Sequence, residues 1–350
     1  RKAAHEGGPG AEADETAHQE RARHRVLRAF RSPHASHVPT DRATGPPSRA
    51  RRERGGVTPT HKPAWLKVRL PSHGDYFRVA EIVRTGGLHT ICESARCPNA
   101  GECWARRTAT FLVLGDVCTR DCGFCAVAKG RPLPPDPGEP ARVAEAVAAL
   151  GLAHAVVTSV TRDDLPDGGA AHFAAVVRAI RAGSPATRVE TLVPDFGGDP
   201  AALGAVLDAG PDVLNHNLET TESLYPAIRR PRGSYARSLG VLEAARRRGF
   251  LTKSGLMVGL GESGDDLRRT FADLRRAGCD LLTVGQYLRP TAAHHPVARY
   301  YEPREFDALA AEARRIGFAG VACGPLVRSS YDAGRLYDAA RPKDGVPCAT

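Results

Sequence analysis

The chain has 350 residues but lacks the long apolar runs that cross membranes. No stretch approaches the roughly 18–20 apolar residues that a transmembrane helix needs, which excludes membrane-spanning classes of protein. The N-terminus also lacks a basic segment followed by a short apolar stretch, as a secretory signal would have, and its acidic residues fit an organelle transit peptide poorly. The sequence therefore predicts a cytoplasmic protein with no membrane partner.

A nucleic-acid-binding motif is also missing, although the net charge is +10. Residues 1–60 contain 12 Lys and Arg residues against 7 Asp and Glu residues, and they show almost no aliphatic periodicity. We therefore expect residues 1–60 to form a disordered basic leader. Because no RNA- or DNA-binding motif with interleaved aromatic side chains accompanies the basic charge, no nucleic-acid partner is predicted.

The nine cysteines are too many and too clustered for an ordinary cytoplasmic core, and their number is odd. Without a secretory signal, a disulfide framework is not expected. Six of the nine form two short triplets, with gaps of four and five residues in the first and of three and two in the second. The six are Cys92, Cys97, Cys103, Cys118, Cys122 and Cys125. Clustering of this kind indicates metal or redox chemistry.

The second triplet, CTRDCGFC, allows three kinds of site. Structural zinc takes four ligands, usually from two closely spaced pairs, and the first triplet does not supply such a pair. A ferredoxin-type cluster would need a fourth cysteine. A three-cysteine loop that follows a strand is typical of radical S-adenosylmethionine (SAM) enzymes, in which the fourth iron of a [4Fe–4S] cluster stays open for SAM. We favour this third interpretation.

After Cys125, strand-like and helical patterns alternate. The strand-like segments, with the one before the second triplet, are 108–114, 154–160, 188–193, 212–216, 251–258, 281–284 and 318–323. Helical spacing occurs at 139–150, 170–182, 200–209, 235–248, 264–277 and 303–316. Such alternation predicts an α/β fold with parallel strands and right-handed crossovers. Six or seven units favour an incomplete barrel, whose chemistry lies at the carboxyl ends of the strands.

Polar residues at the predicted strand ends are candidates for contacts with SAM or substrate. They are Arg162, Asp163, Asp164, Asn215, Asn217 and Glu219, with Lys253 inside an apolar strand. Helix capping and loop hydrogen bonds explain the first six equally well, and Lys253 could point to the surface. Metal binding by His294 and His295 is not expected. The sequence leaves these alternatives open.

The first triplet, ICESARCPNAGECW, can hold three irons of a second cubane, whose fourth iron would need a ligand other than cysteine. Near the C-terminus, the stretch GPLVRSSYDAG offers the hydroxyls of Ser329 and Ser330 beside Arg328. Taken alone, this stretch is also typical of a turn with local hydroxyl hydrogen bonds.

From about Lys62 to Gly334, the chain closely resembles the lipoyl synthase family of radical SAM enzymes. The stretches that carry the resemblance are WLKVRLP, GLHTICESARCPNAGECW, TATFLVLGDVCTRDCGFCAVAKG, VVTSVTRDDLPDGGA, VETLVPDFGGD, NHNLET, SGLMVGLGE, QYLRPT and GPLVRSSY. Departures are small: Ser263 follows GLGE and Asp332 follows RSSY, where the family usually has Thr and His.

The resemblance implies a domain organisation and two cluster sites. A partial (β/α)6-type parallel barrel of the radical SAM kind would span 108–323, between an N-terminal extension at 61–107 and a C-terminal segment at 324–350 that together carry an auxiliary [4Fe–4S] cluster. The SAM cluster would be held by Cys118, Cys122 and Cys125. The auxiliary cluster would be held by Cys92, Cys97, Cys103 and Ser330, with Ser329 as the alternative and Arg328 as a support beside the ligand.

The resemblance also implies an activity: insertion of two sulfur atoms at C6 and C8 of a protein-bound octanoyl-lysine, with two SAM molecules cleaved and the auxiliary cluster as sulfur donor. The implied partners are octanoylated carrier domains, namely acyltransferase subunits of 2-oxoacid dehydrogenases and the glycine cleavage H protein. A reductase or ferredoxin would donate electrons, and an iron–sulfur assembly carrier would supply clusters. Rival interpretations are a methylthiotransferase acting on RNA and a non-enzymatic cluster or electron carrier.

Overall fold

The computed structural model describes residues 61–67, 74–106, 108–229 and 232–340. The predicted leader at 1–60 and the last ten residues of the predicted C-terminal segment lie outside these ranges. The described residues form ten β-strands, eleven α-helices and three short 3-10 helices.

The strands make one large sheet and one small pair. In chain order they are β1 (His89–Thr90), β2 (Thr110–Val113), β3 (Val117–Cys118), β4 (Ala128–Lys129), β5 (His154–Ser159), β6 (Arg188–Leu192), β7 (Val213–Asn215), β8 (Leu251–Val258), β9 (Leu281–Gln286) and β10 (Gly320–Gly324). The eight-stranded sheet has the order β1-β2-β5-β6-β7-β8-β9-β10, and β3 pairs with β4. Within the large sheet, β1 is antiparallel to β2 and every other neighbouring pair is parallel.

Six helices connect successive parallel strands, and the others belong to the extensions and loops. The helices are α1 (Gly74–Thr85), α2 (Ile91–Ser94), α3 (Ala100–Ala105), α4 (Glu139–Leu150), α5 (Ala170–Gly183), α6 (Pro200–Asp208), α7 (Tyr225–Ile228), α8 (Tyr235–Arg247), α9 (Gly264–Arg276), α10 (Pro303–Ile316) and α11 (Ala333–Ala340). The 3-10 helices are Ala64–Leu66, Phe196–Gly198 and Glu222–Leu224. The crossover helices are α4, α5, α6, α8, α9 and α10.

The predicted alternation is confirmed, with two refinements. The six crossover helices and seven parallel strands lie where the sequence predicts them, so the barrel has six strand–helix units followed by a seventh strand, β10. The antiparallel edge strand β1, which extends the sheet next to β2, was not predicted. It has two residues, too few for a periodic pattern to reveal it.

Burial on both faces explains why the sequences of the parallel strands are nearly continuous apolar runs. All four residues of β2 and all six of β9 are buried, as expected for strands covered by helices on one face and by the barrel interior on the other. Helix α9 shows the complementary pattern. Its capping box joins Ser263 to Asp266 at the N-terminus, and Leu267, Phe271 and Leu274 are buried on its inner face.

The sheet curves around a cavity at the carboxyl ends of its strands. Residues from β2, β5, β6, β8 and β9, or from the loops that follow these strands and β7, line this one cavity. Strands that far apart in the sheet order can share a cavity because the sheet bends into a partial barrel.

Replacement of Phe271 by Ala tests the packing of α9 on the sheet. Phe271 is fully buried and contacts Phe318 edge to face, with 6.3 Å between ring centroids. We expect the variant to lose about 3–5 kcal/mol of unfolding free energy, because the cavity left behind cannot collapse completely. Urea unfolding measures the loss. The control is Leu133→Ala, at a residue that is 83% exposed, which should stay within about 0.5 kcal/mol of the parent. Equal effects of both variants would contradict the predicted packing.

Candidate active site

Both cysteine triplets face one cavity of about 520 Å³ at the carboxyl edge of the sheet. Its lining includes Cys92, Cys97, Cys103, Cys118, Cys122 and Cys125. The C-terminal stretch, from Gly324 to Tyr331, contributes its residues 327–331 to the lining, although these are more than 200 positions away from the triplets in the chain. The fold therefore brings together the three sequence motifs that carried the predicted chemistry.

The loop that carries the second triplet is held by backbone hydrogen bonds to distant segments. The Gly123 amide donates to the Ile228 carbonyl at 2.8 Å, and the Gly123 carbonyl accepts from the His295 amide at 2.8 Å. The His294 ring donates from Nε2 to the Cys125 carbonyl at 3.0 Å. The sequence predicts no metal binding by His294, and it did not predict this contact beside the second triplet.

Two buried side chains fix the start of this loop by hydrogen bonds to the backbone amide and the backbone carbonyl of Leu114. Leu114 has a positive φ of 68°, an uncommon conformation for a branched residue. Its amide donates to the Glu139 carboxylate at 2.9 Å, and its carbonyl accepts from Arg162 at 3.3 Å. These contacts stabilise the turn that directs the chain from β2 towards Cys118.

Arg120, between the first two cysteines of the loop, forms a buried charged cluster that was not predicted from the sequence. Its guanidinium donates to Asp163 in two hydrogen bonds of 2.8 Å and to Asp195 at 2.7 Å. Burial tends to raise the pKa of the Asp195 carboxyl, but Arg120 outweighs burial and holds that pKa at about 2. Asp163, one of the predicted strand-end candidates, therefore holds the cysteine loop through Arg120.

The first triplet lies on two short helices and the turn between them. Thr90 caps α2, which carries Cys92, and the Cys97 amide donates to the Cys92 carbonyl at 2.9 Å. Cys103 lies on α3, next to the buried Trp104. The backbone that carries the three thiols is thus held by local hydrogen bonds.

Burial makes the thiolate form costly at most of these cysteines. It raises the pKa of Cys92 to about 11 and the pKa values of Cys103 and Cys125 to about 12, and it also raises those of Cys97 and Cys122. Thiolates in such a setting need a positive partner, and metal binding supplies one while it releases the protons. The donor set therefore fits iron–sulfur clusters. Within the described ranges, no three His, Cys, Asp or Glu side chains converge as they would around a single metal ion.

Three hydrogen bonds hold the C-terminal stretch over the cavity. Asn99 donates to the Leu326 carbonyl at 2.6 Å, and Tyr331 donates to Glu102 at 3.1 Å, so two contacts join it to the N-terminal extension. The third runs from the Ser329 hydroxyl to Asn217 Oδ1 at 2.8 Å. Ser330 lines the cavity beside them.

Buried charges lie beside both triplets. Arg229 points a guanidinium nitrogen at Cys122 Sγ, 4.0 Å away, and its Nε has no hydrogen-bond partner among the described residues. Glu219 accepts from Asn217 Nδ2 at 3.0 Å, and burial raises the pKa of its carboxyl. Burial lowers the pKa of Arg328, whose charge lies near Cys97. Arg229 was not predicted, because nothing in the arginine-rich stretch 229–232 singles it out.

Of the predicted strand-end candidates for SAM or substrate contacts, Asn217 and Glu219 line the cavity. The other five do not belong to its lining in the described structure: Arg162, Asp163, Asp164, Asn215 and Lys253. Arg162 donates to Asp164 through two hydrogen bonds of 2.8 Å, which is the local loop pairing that the sequence allowed as the alternative.

Lys253 and Asn215 belong to a separate buried network inside the barrel. Lys253 Nζ lies 2.9 and 3.1 Å from the two carboxylate oxygens of Glu190, and Asn215 donates to Glu190 at 2.8 Å. His154 Nε2 lies 3.4 Å from the same carboxylate. Burial favours a raised pKa for Glu190, but Lys253 and His154 outweigh it and hold the pKa at about 2. Lys253 therefore forms an internal ion pair with Glu190.

Comparison with known proteins agrees with this geometry. Residues 112–274 match the model of the Radical SAM superfamily. The chain is 56% identical over 282 residues to the lipoyl synthase of Rubrobacter xylanophilus, a match that covers 80% of this chain and 88% of that protein. It is 54% identical over 289 residues to the lipoyl synthase of Mycobacterium tuberculosis, covering 82% and 93%. The chain belongs to the lipoyl synthase family.

Membership of the lipoyl synthase family makes the chain a radical SAM enzyme, and it implies a [4Fe–4S] cluster and SAM as cofactors. Similar solved structures are remote. They include HydG, a maturase of the [FeFe]-hydrogenase, with a TM-score of 0.47, 14% identity, and coverage of 69% of this chain and 55% of that one. Coproporphyrinogen III oxidase from Escherichia coli has a TM-score of 0.46, 17% identity, and coverage of 64% and 57%. Among the described residues of this lipoyl synthase family member, no helix is long and apolar enough to cross a membrane.

A Lys253→Met variant tests whether Lys253 is structural. The substitution leaves Glu190 buried without its main partner, so we expect a loss of about 3–5 kcal/mol of unfolding free energy. The matched control, Lys253→Met with Glu190→Gln, removes both charges and should recover about half of that loss or more. Urea unfolding measures stability and equilibrium dialysis measures SAM binding. A stable Lys253→Met protein with weakened SAM binding would instead place Lys253 in the cofactor site.

Proposed function

We propose that this chain is an active lipoyl synthase, which inserts sulfur at C6 and C8 of an octanoyl group attached to a lysine of a carrier domain. The observation that carries the proposal is the convergence of two cysteine triplets and the Arg328–Tyr331 stretch on one cavity of about 520 Å³. A radical formed on a substrate carbon needs a sulfur atom within reach, and one shared cavity places both functions around the same bound chain.

On one side of the cavity, Cys118, Cys122 and Cys125 would hold the SAM cluster. When bound, the two clusters and SAM supply the reducing electron, the hydrogen-abstracting radical and the sulfide. The protein's part is to orient these groups. Arg229 and Glu219 place opposite buried charges beside Cys122, which suits the carboxylate and ammonium groups of the methionine part of SAM.

On the other side, Cys92, Cys97, Cys103 and Ser330 would hold the auxiliary cluster. Ser330 suits the ligand role better than Ser329, because Ser329 already donates to Asn217 whereas Ser330 has no hydrogen-bond partner among the described residues. A hydroxyl oxygen is a harder and more labile ligand than a thiolate, as suits a cluster that is consumed. Arg328, buried near Cys97, would stabilise the negative charge of the loaded site.

The apolar part of the cavity lining suits an aliphatic substrate. It includes Leu112, Phe124, Leu192, Met257 and Tyr287. Apolar side chains can pack along an octanoyl group and exclude water from a carbon radical. The partners proposed for this site are octanoylated carrier domains, among them acyltransferase subunits of 2-oxoacid dehydrogenases and the glycine cleavage H protein. A reductase or ferredoxin and an iron–sulfur assembly carrier would serve the clusters.

Two cysteine variants separate the proposed roles. Cys122→Ala should abolish the release of deoxyadenosine from SAM under dithionite, because the open-iron cluster loses a ligand. Cys97→Ala should retain that release but make no lipoyl product. Both are assayed with anaerobically reconstituted full-length protein and an octanoylated carrier domain. Iron and acid-labile sulfide per chain serve as the second readout. Each variant should lose about the amount of iron and sulfide that one cluster contributes.

Labelled sulfide and an alternative substrate complete this test. If the chain is reconstituted with isotopically labelled sulfide, the label should appear in the lipoyl product. Its absence from the product, or full activity of Cys97→Ala, would contradict the donor role. Thiolated tRNA with an untouched carrier would show that the chain is a methylthiotransferase-like enzyme instead.

Replacement of Arg229 by Gln tests the proposed SAM contact. Loss of a charged hydrogen bond of roughly 1.5–3 kcal/mol should weaken SAM binding about 10- to 100-fold and leave the iron content unchanged. Equilibrium dialysis of the reconstituted protein measures the dissociation constant. The control, Arg247→Gln, alters an exposed arginine on α8 paired with Glu243, and SAM binding should not change. Equal SAM affinity in the Arg229 variant and the parent would remove this residue from the site.

A further inference from the structure

The C-terminal stretch from Gly324 to Tyr331 is fastened to two different parts of the molecule. Asn99 and Glu102, which bind it through Leu326 and Tyr331, belong to the N-terminal extension. Asn217, which accepts from Ser329 at 2.8 Å, follows β7 and belongs to the barrel. The Ser329–Asn217 hydrogen bond is therefore a direct side-chain link between this stretch and the half of the cavity that contains the second triplet.

Two glycines in the barrel strands make room for this link. A Cβ atom at Gly255, in β8, would lie 2.6 Å from Ser329 Oγ and 2.7 Å from Asn217 Oδ1. A Cβ atom at Gly285, in β9, would collide with the Val327 carbonyl oxygen. The stretch thus lies directly on the backbone of two neighbouring strands, at a distance that any larger residue would prevent.

Asn217 is itself held in place, so it is a rigid acceptor. Its Nδ2 donates to Glu219 Oε1 at 3.0 Å. Glu219 is fixed in turn by backbone bonds to β8, because its amide donates to the Gly255 carbonyl at 2.9 Å and its carbonyl accepts from the Met257 amide at 2.8 Å. A hydrogen-bonded chain therefore runs from Ser329 through Asn217 to Glu219, on the side of the cavity where Arg229 contacts Cys122.

The two adjacent serines consequently have different surroundings. The Ser329 hydroxyl is used in the link to Asn217, whereas the Ser330 hydroxyl, which also lines the cavity, has no partner within the described residues. A hydroxyl that donates a hydrogen bond to a rigid acceptor is poorly placed to ligate iron as well. It is well placed to fix the backbone of its neighbour.

We propose that Ser329 is a positioning residue, whose hydrogen bond to Asn217 fastens the C-terminal stretch to the barrel and holds Ser330 towards the first triplet. This inference rests on the proposed function, because it assigns Ser330 to the auxiliary cluster. The link does not depend on iron. It therefore keeps Ser330 in place when sulfur is withdrawn from the cluster, so that the same ligand is available when the cluster is rebuilt.

The test measures how fast the full chain, loaded with both clusters, loses iron to a chelator in the absence of SAM and substrate. Ser329→Ala should lose auxiliary-cluster iron roughly fivefold faster than the parent, the change expected for one net hydrogen bond. In a second assay, with SAM and an octanoylated carrier present, the variant should release more deoxyadenosine per lipoyl product. The reason is that the sulfur donor is less well placed when the substrate radical forms. Ser223→Ala, an exposed serine that pairs with Thr221, is the matched control and should match the parent in both assays.

A double-mutant cycle separates positioning from general destabilisation. If Ser329 acts through Asn217, combining Ser329→Ala with Asn217→Ala should accelerate iron loss by less than the product of the two single effects. Independent, multiplicative effects would overturn the proposal. So would a Ser329→Ala protein with the parental rate of iron loss and the parental product ratio.

A third comparison tests whether Ser329 is itself the cluster ligand. Ser330→Ala should lose its iron faster than Ser329→Ala, and the reverse order would make Ser329 the ligand and overturn the inference. Failure of the proposed function looks different. In that case the parent itself would release deoxyadenosine without incorporating labelled sulfur into a carrier, whatever the behaviour of the serine variants.

Discussion

Parallel strands joined by right-handed crossovers bring their carboxyl ends to one edge of the sheet, and the candidate site depends on this geometry. The loop after β2 carries the second triplet, the loop after β7 carries Asn217 and Glu219, and β10 leads into the stretch that ends with Ser330. None of these segments is close to another in sequence. The topology of the sheet, more than any local preference, makes them neighbours.

The barrel interior contains two kinds of buried charge: a closed ion pair, and charged groups in the cavity wall. Below the cavity, Glu190 and Lys253 neutralise each other at 2.9 Å, as buried ions usually must. In the cavity wall, Arg229 keeps an unsatisfied Nε in the described structure, and Glu219 has a carboxyl whose pKa is raised by burial. A buried charge costs free energy, and so does a buried nitrogen without a hydrogen-bond partner, so both residues are expected at a place where a charged ligand binds.

Much of the fold and the core of the site could be predicted from the sequence, since cysteine spacing and alternating apolar runs are local patterns. The six clustered cysteines and the strand–helix units are of this kind. The contacts of Arg229, Arg120 and Lys253 are not, because each depends on a partner that lies between 43 and 107 residues away. The sequence also could not decide between Arg162 as a cofactor contact and Arg162 as the partner of Asp164, although these two residues are only two positions apart. That choice depends on which way a loop side chain turns after folding.

The bond between Asn99 and the Leu326 carbonyl joins residues 227 positions apart. During synthesis, the cysteines of the first triplet leave the ribosome long before the stretch that covers them. Contacts of such long sequence separation form late, because a large loop must close first. The cavity wall that contains Ser330 is therefore completed only after this late segment has been synthesised. Any metal centre that uses this wall has to be inserted after the barrel strands that precede it in the chain.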